Sequence, residues 1–166
     1  SFANSRKMTS FLSESTSFSN VVQQLQGSSV LVIGHRRPDG DCVGSQVAMT
    51  RILRGLGIDA IAVNNDPVPR TLQKFVGDTP FVGPSEIKGE DHKIVTVDCA
   101  DHARIGDELK ERYPHVFLNV DHHVSNTKFA EHNFVLSDAS ATGEILAKFF
   151  FDTGYEVDKT TADGLY

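Results

Sequence analysis

The stretch Ser29-Val30-Leu31-Val32-Ile33-Gly34-His35-Arg36-Arg37-Pro38-Asp39-Gly40-Asp41 decides how the rest of the chain is read. Its first half is a short, β-branched apolar run, the pattern of a parallel strand buried on both faces. Pro38 and Gly40 then break regular structure, and from Val43 the apolar positions Val43, Val47, Ile52, Leu53 and Leu56 return at helical spacing until Gly55 and Gly57 stop them. Strand, polar loop, helix is the opening of a βαβ unit. Working outward, Ile58–Val63, Lys93–Asp98 and His115–Asp121 read as further strands. Arg70–Val76, His102–Arg112 and Ala139–Phe151 read as helices, and Lys159–Tyr166 as the first turns of another. On the amino-terminal side, Val21, Val22 and Leu25 put one apolar face on a helix over Phe18–Gln26, and residues 1–17 read as a flexible, Ser-rich leader. Strands alternating with helices predict an α/β fold: an open, mainly parallel β-sheet with helices on both faces.

Composition sets the outer bounds. A chain of 166 residues with 39% hydrophobic content is long enough for one domain to bury a core without disulfides or a structural metal. Disordered, collagen-like and coiled-coil classes are excluded by that ordinary composition. A net charge of −6 argues against a scaffold for long duplex DNA, because counterion release needs clustered Lys and Arg. There is no apolar run of membrane-spanning length and no signal-peptide pattern, so no membrane partner is expected. Two cysteines, Cys42 and Cys99, cannot make a disulfide framework, which favours a reducing, cytoplasmic setting.

Three of the strands end in the same chemistry. The first runs into His35, Asp39 and Asp41, another ends at Asp98, and the last ends at Asp121-His122-His123. Ligands of open parallel sheets bind outside the carboxyl ends of the strands, so these groups are expected to meet at one edge. Four carboxylates packed together without a cation would repel one another in a low dielectric. Imidazole and carboxylate donors without thiolates suit Mn²⁺, Mg²⁺, Fe²⁺ or Zn²⁺. Two such ions about 3.5–4 Å apart are standard machinery for phosphoester hydrolysis. Each motif alone has a plainer reading. Asp-Gly-Asp is a common turn, a strand-end Asp often caps the next helix, and a His pair often lies in a loop. Their recurrence at successive strand ends is what favours metal. His92, His102, His115 and His132 lie in polar surroundings and read as surface residues.

The segment His35-Arg36-Arg37-Pro38-Asp39-Gly40-Asp41-Cys42-Val43-Gly44-Ser45 resembles the first motif of DHH-family phosphoesterases. Val97-Asp98 resembles their second motif, and Asp121-His122-His123 their eponymous triplet. Ser140-Ala141-Thr142-Gly143-Glu144 is similar to the helix-opening segment of the branch that holds bacterial oligoribonucleases, which also dephosphorylate 3′-phosphoadenosine 5′-phosphate. The resemblance spans Val21 to Tyr166. It implies one Mn²⁺ on His35, Asp39 and Asp98, and a second on Asp41, Asp98 and His122, with Asp98 bridging and Mg²⁺ or another divalent ion as a substitute. It also implies a hydroxide between the metals as the nucleophile, His123 on the phosphoryl oxygens as a catalytic and substrate-binding residue, and Asp121 orienting a histidine. Gly44 and Ser45 would open the following helix, their N–H groups either holding a phosphate or, the better reading, capping it.

Full-length members of the family carry a fourth Asp motif and then a smaller carboxy-terminal substrate domain. The helix before that motif resembles Thr160-Thr161-Ala162-Asp163-Gly164-Leu165-Tyr166, so residues 18–166 read as a DHH domain truncated before the substrate domain, weak or inactive alone. The expected partner is short single-stranded RNA or a phosphorylated nucleoside, and homodimerisation of the full-length protein stays open. Three other readings compete. One is a pyrophosphatase or cyclic-dinucleotide phosphodiesterase of the same family; another is a non-catalytic metal-binding module. The third, a nucleotide-binding α/β domain, lacks the Gly-rich phosphate loop it would need.

Overall fold

Apolar runs that alternate in facing while staying buried on both sides build the centre of the sheet. Val30, Val32, Val95, Val97, Leu118 and Val120 face one layer, and Leu31, Ile33 and Ile94 face the other. A computed structural model describes residues 14–152, with side chains to residue 150. The strands are β1 (Ser29–Ile33), β2 (Asp59–Val63), β3 (Phe81–Val82), β4 (Lys93–Val97), β5 (Leu118–Asp121) and β6 (His132–Val135). All pair in parallel, in the order β3-β2-β1-β4-β5-β6. The expected α/β fold is therefore present, and its sheet is wholly parallel.

The helices are α1 (residues 14–23), α2 (Gly40–Gly55), α3 (Gln73–Val76), α4 (Asp107–Arg112) and α5 (Thr142–Asp152). Helices α1, α2 and α5 and the turn after α1 cover one face through Val22, Leu25, Met49, Leu53, Leu146 and Phe149. A 3₁₀ turn, His102–Ile105, and α4 cover the other through Ile105 and Leu109. This two-sided cover follows from handedness. The chain winds outward from β1 through β2 to β3, then returns and winds the other way from β4, and right-handed crossovers in opposite directions fall on opposite faces. The reversal lies between β1 and β4, the place where open α/β sheets bind ligands.

Several local expectations are corrected. Helix α2 begins at Gly40, with Asp39 as its cap: Asp39 Oδ1 accepts from the Cys42 N–H at 2.9 Å. Gly44 and Ser45 therefore lie buried in its second turn, their N–H groups within the helix, and neither is the cap. The helix expected over His102–Arg112 is split by Gly106, whose φ of +100° and ψ of 152° occupy a region open to glycine. A Cβ there would lie 2.7 Å from Asn65 Cγ, so the break is a close packing of two loops. Strands β3 and β6 leave no mark in the sequence pattern because both are edge strands, one only two residues long and the other mixed in polarity. Residues 14–17, expected in the leader, are helical, and Ser15 is buried. His102 is half-buried, stacked on Phe129 at 5.6 Å, and His92 and His132 are also half-buried, so only His115 is exposed as expected. The rest of the expected leader, residues 1–13, and the helix at Lys159–Tyr166 lie outside the described residues. Among the described residues no helix is long and apolar enough to cross a membrane.

A cluster of rings holds α5 in place. Phe18 of α1 stacks on Phe149 at 4.6 Å and meets Phe150 and, from β6, Phe134 edge-on. With its far half anchored there, α5 aims its amino terminus at the carboxyl end of the sheet.

Candidate metal centre at the sheet switch point

Asp98 follows β4 directly and has a φ of +60°, the left-handed region that Asp tolerates better than most residues. Its loop is pinned from several sides. The Asp98 N–H donates to Val120 O at 2.9 Å, and Cys99 O accepts from the buried Asn119 amide at 3.1 Å and from Asn126 at 3.2 Å. Such over-determination holds a strained backbone in place. The result is a carboxylate 3% exposed, with its two oxygens turned to two different histidines.

Those two oxygens define two donor sets. Asp98 Oδ2 lies 3.3 Å from His35 Nε2, which lies 3.6 Å from Asp39 Oδ1. Asp98 Oδ1 lies 3.5 Å from His122 Nε2, which lies 3.6 Å from Asp41 Oδ2. Donor atoms bound to one cation at about 2.0–2.2 Å sit roughly 3.0–3.6 Å apart, so each of these histidine–carboxylate spacings, and the N/O donor chemistry, suit a divalent ion. Each histidine sits between two carboxylates, the environment a cation stabilises.

Neighbouring groups orient the donors. His35 Nδ1 is 2.7 Å from Arg36 O, which keeps a proton on Nδ1 and turns Nε2 toward the carboxylates, carrying a proton in the metal-free protein and free to bind a cation once that proton leaves. The loop carrying His35 is tied by the Arg36 N–H to Arg104 O at 2.7 Å and by the Arg37 N–H to Asp66 at 2.8 Å. Asp41 accepts from the Thr142 and Gly143 N–H groups at 3.0 Å each, satisfying two free donors at the start of α5, and from Ser45 Oγ at 3.3 Å. Thr142 Oγ1 donates to Asp98 Oδ1 at 3.2 Å. The segment from Ser140 to Glu144 thus reaches the centre through two backbone N–H groups and the Thr142 hydroxyl.

Asp121 is fully buried and spends its oxygens on neighbours. Oδ1 accepts from His123 Nδ1 at 2.6 Å and Oδ2 from Asn126 Nδ2 at 2.8 Å. Asp98, Asp121, His122 and His123 offer ligand atoms within 4.8 Å of one another, yet these bonds make Asp121 a group that orients His123. The His122 and His123 rings lie 4.3 Å apart, with His123 the more exposed. Sequence reasoning gave no role to Asn126, nor to Thr142 and Cys42, although those two lie in segments it singled out. Asn126 and Thr142 act through bonds to residues of other segments, and Cys42 has no periodic signal of its own.

The Asp98 carboxylate, followed by Cys42, holds the His35 imidazolium so well that its pKa is pushed up to about 11 in the metal-free protein. An unfolded histidine titrates near 6.5, so this pair contributes fully below about pH 6.5 and is lost as pH rises toward 11. With chelator present, unfolding by urea is expected to need less denaturant at pH 9 than at pH 6. Saturating divalent cation should flatten that dependence, because it takes the proton's place.

Comparison with known proteins agrees with this architecture. The model of the DHH family, N-terminal domain, matches residues 29–166. A probable manganese-dependent inorganic pyrophosphatase of Exiguobacterium sp. is 29% identical over 136 residues, 78% of this chain and 43% of that protein. A bifunctional oligoribonuclease and PAP phosphatase of Thermus thermophilus is 29% identical over 126 residues, 76% of this chain and 37% of that protein. The chain spans less than half the length of both relatives. An exopolyphosphatase-related protein of Bacteroides fragilis has the same fold, with a TM-score of 0.79 at 19% identity over 93% of this chain and 48% of its own.

Proposed function

The chain belongs to the DHH family, and from that premise we propose that it is the metal-binding half of a phosphoesterase acting on short oligoribonucleotides and 3′-phosphoadenosine 5′-phosphate. The observation that carries the reading is Asp98, whose Oδ2 and Oδ1 face His35 and His122 at 3.3 and 3.5 Å. His35, Asp39 and Asp98 would hold one divalent cation, and Asp41, Asp98 and His122 the other. Manganese is the first choice, given the manganese-dependent relative. When bound, such ions supply Lewis acidity and an activated water.

The chain's own residues do the rest. Asp98 keeps the two positions adjacent. The start of α5 fixes Asp41 through Thr142 and Gly143. Asp121 locks His123 through Nδ1 and leaves Nε2 to meet a phosphoryl oxygen as charge develops there. Arg36 and Arg37, both exposed beside the centre, suit the remaining phosphates of a short ligand. Two buried, unpaired cysteines fit a reducing, cytoplasmic location.

Support for the oligoribonuclease branch comes from the Ser140–Glu144 segment and the Thermus relative. The Exiguobacterium relative favours a second reading, cleavage of pyrophosphate. A manganese-supplemented assay offering dinucleotide, 3′-phosphoadenosine 5′-phosphate, pyrophosphate and cyclic dinucleotide separates them. Faster turnover of the first two is expected. Dominant pyrophosphate hydrolysis would sink the proposal, and no hydrolysis of any substrate even by a protein joining this domain to a DHH-family substrate domain would point to a non-catalytic module.

A further inference from the structure

Cys42 sits in the first turn of α2 with its side chain fully buried, yet it lies at the edge of the metal centre. His35, Cys42 and Asp98 offer ligand atoms within 4.8 Å of one another. The sulfur is held there by backbone design. The Cys42 N–H is anchored on Asp39 Oδ1, which itself faces His35 Nε2 at 3.6 Å. On its other side the sulfur packs on the bare Cα of Gly34, where any Cβ would come within 2.4 Å of Sγ. Gln46 Oε1, 3.7 Å away, is a weak partner for a thiol.

We propose that Cys42 is a metal-selectivity residue, whose sulfur joins His35 and Asp98 to draw Zn²⁺ or Co²⁺ into the first cation position. Nitrogen, oxygen and thiolate donors together suit these ions, whereas Mn²⁺ and Mg²⁺ prefer carboxylate, carbonyl and water. Coordination converts the thiol to a metal thiolate and releases one proton to solvent, with no change of oxidation state. The expected consequence is that thiophilic ions compete with the working cation at a position Asp39 would otherwise complete. The inference rests on the metal positions proposed above, and the two can fail separately.

The test is Co²⁺ titration of the full chain followed by near-ultraviolet absorption, with Mn²⁺ binding measured in parallel by calorimetry. A thiolate-to-cobalt charge-transfer band is expected in the parent and in Cys99→Ser, and its loss is expected in Cys42→Ser and Cys42→Ala. Changes to groups merely supporting a ligand alter metal affinity by about 10–100-fold, so the Zn²⁺-to-Mn²⁺ affinity ratio should fall at least that far in both Cys42 variants. Circular dichroism checks that each variant folds. Mn²⁺ bound by the parent, with no cobalt band or one that survives Cys42→Ser, would overturn the inference alone. Failure of the parent to bind any of these ions would overturn the metal reading as well.

Discussion

Asp98→Asn is expected to abolish divalent-cation binding in both donor sets at once. The reason is geometric: His35 and His122 each rely on a different oxygen of this one carboxylate. An amide keeps the shape but removes the charge and turns one oxygen into a donor that opposes a cation. Asn also tolerates the φ of +60° found here, so the fold should survive. Calorimetry should then register no tight Mn²⁺ site in Asp98→Asn, whereas Asp39→Ala should lose one set only. Single electrostatic groups at a reacting centre are worth about 10²–10³ in rate, and a group serving both cations should reach at least the upper end. The same variant should let the His35 pKa fall back toward the ordinary histidine value, because Asp98 is the largest cause of its rise. Histidine NMR titration in chelator reads this directly. An unchanged metal stoichiometry in Asp98→Asn would refute the shared-ligand arrangement.

Gly34→Ala should produce the largest loss of stability among small substitutions near the centre. A Cβ at this position would lie 2.4 Å from Cys42 Sγ, 2.5 Å from Gln46 Oε1 and 2.7 Å from Gln46 Cδ. Neither side chain can yield cheaply. Gln46 is fully buried, and its amide donates to Val32 O at 3.1 Å, to Val63 O at 3.2 Å and to Asn64 Oδ1. It ties β1 and β2 together at the ends from which the site loops leave. Overpacking costs about 1–3 kcal/mol and a buried polar group left unsatisfied about 1–3 kcal/mol more, so a total of about 2–6 kcal/mol is expected. Gly55→Ala makes the control. It lies at the end of α2 with open space around its Cα, and should change stability by less than about 1 kcal/mol. Urea denaturation of both variants at one pH measures the difference. Equal midpoints would show that the glycine at the end of β1 is not required for packing.

Both substitutions lie in a region whose existence is visible in the chain itself, though its arrangement is not. The apolar run before His35, the breakers Pro38 and Gly40 and the return of helical spacing are local properties, set by steric preferences within a few residues. They suffice for a parallel α/β sheet, and with the positions of Asp98 and Asp121-His122-His123 they suffice to expect a cluster at one edge. Residue chemistry is also local, so the strand-end groups His35, Asp39, Asp41, Asp98, Asp121, His122 and His123 could be picked out before any packing was known, and the resemblance to the DHH family narrowed the expected donors to His35, Asp39, Asp41, Asp98 and His122.

Tertiary structure decided what each group does once it arrives. Asp41 is oriented by the Thr142 and Gly143 N–H groups, about a hundred positions away along the chain. Asp121, expected to orient a histidine, does so through His123 and is itself held by Asn126, a partner that only the folded chain identifies. Cys42, in sequence only a lone thiol, becomes a neighbour of His35 because α2 starts at Gly40 and packs on Gly34. The edge strands and the break at Gly106 likewise depend on partners from other segments. Periodicity and residue type are short-range quantities that a sequence carries openly. Which oxygen faces which nitrogen is fixed by long-range packing and hydrogen bonding, and only the folded chain contains it.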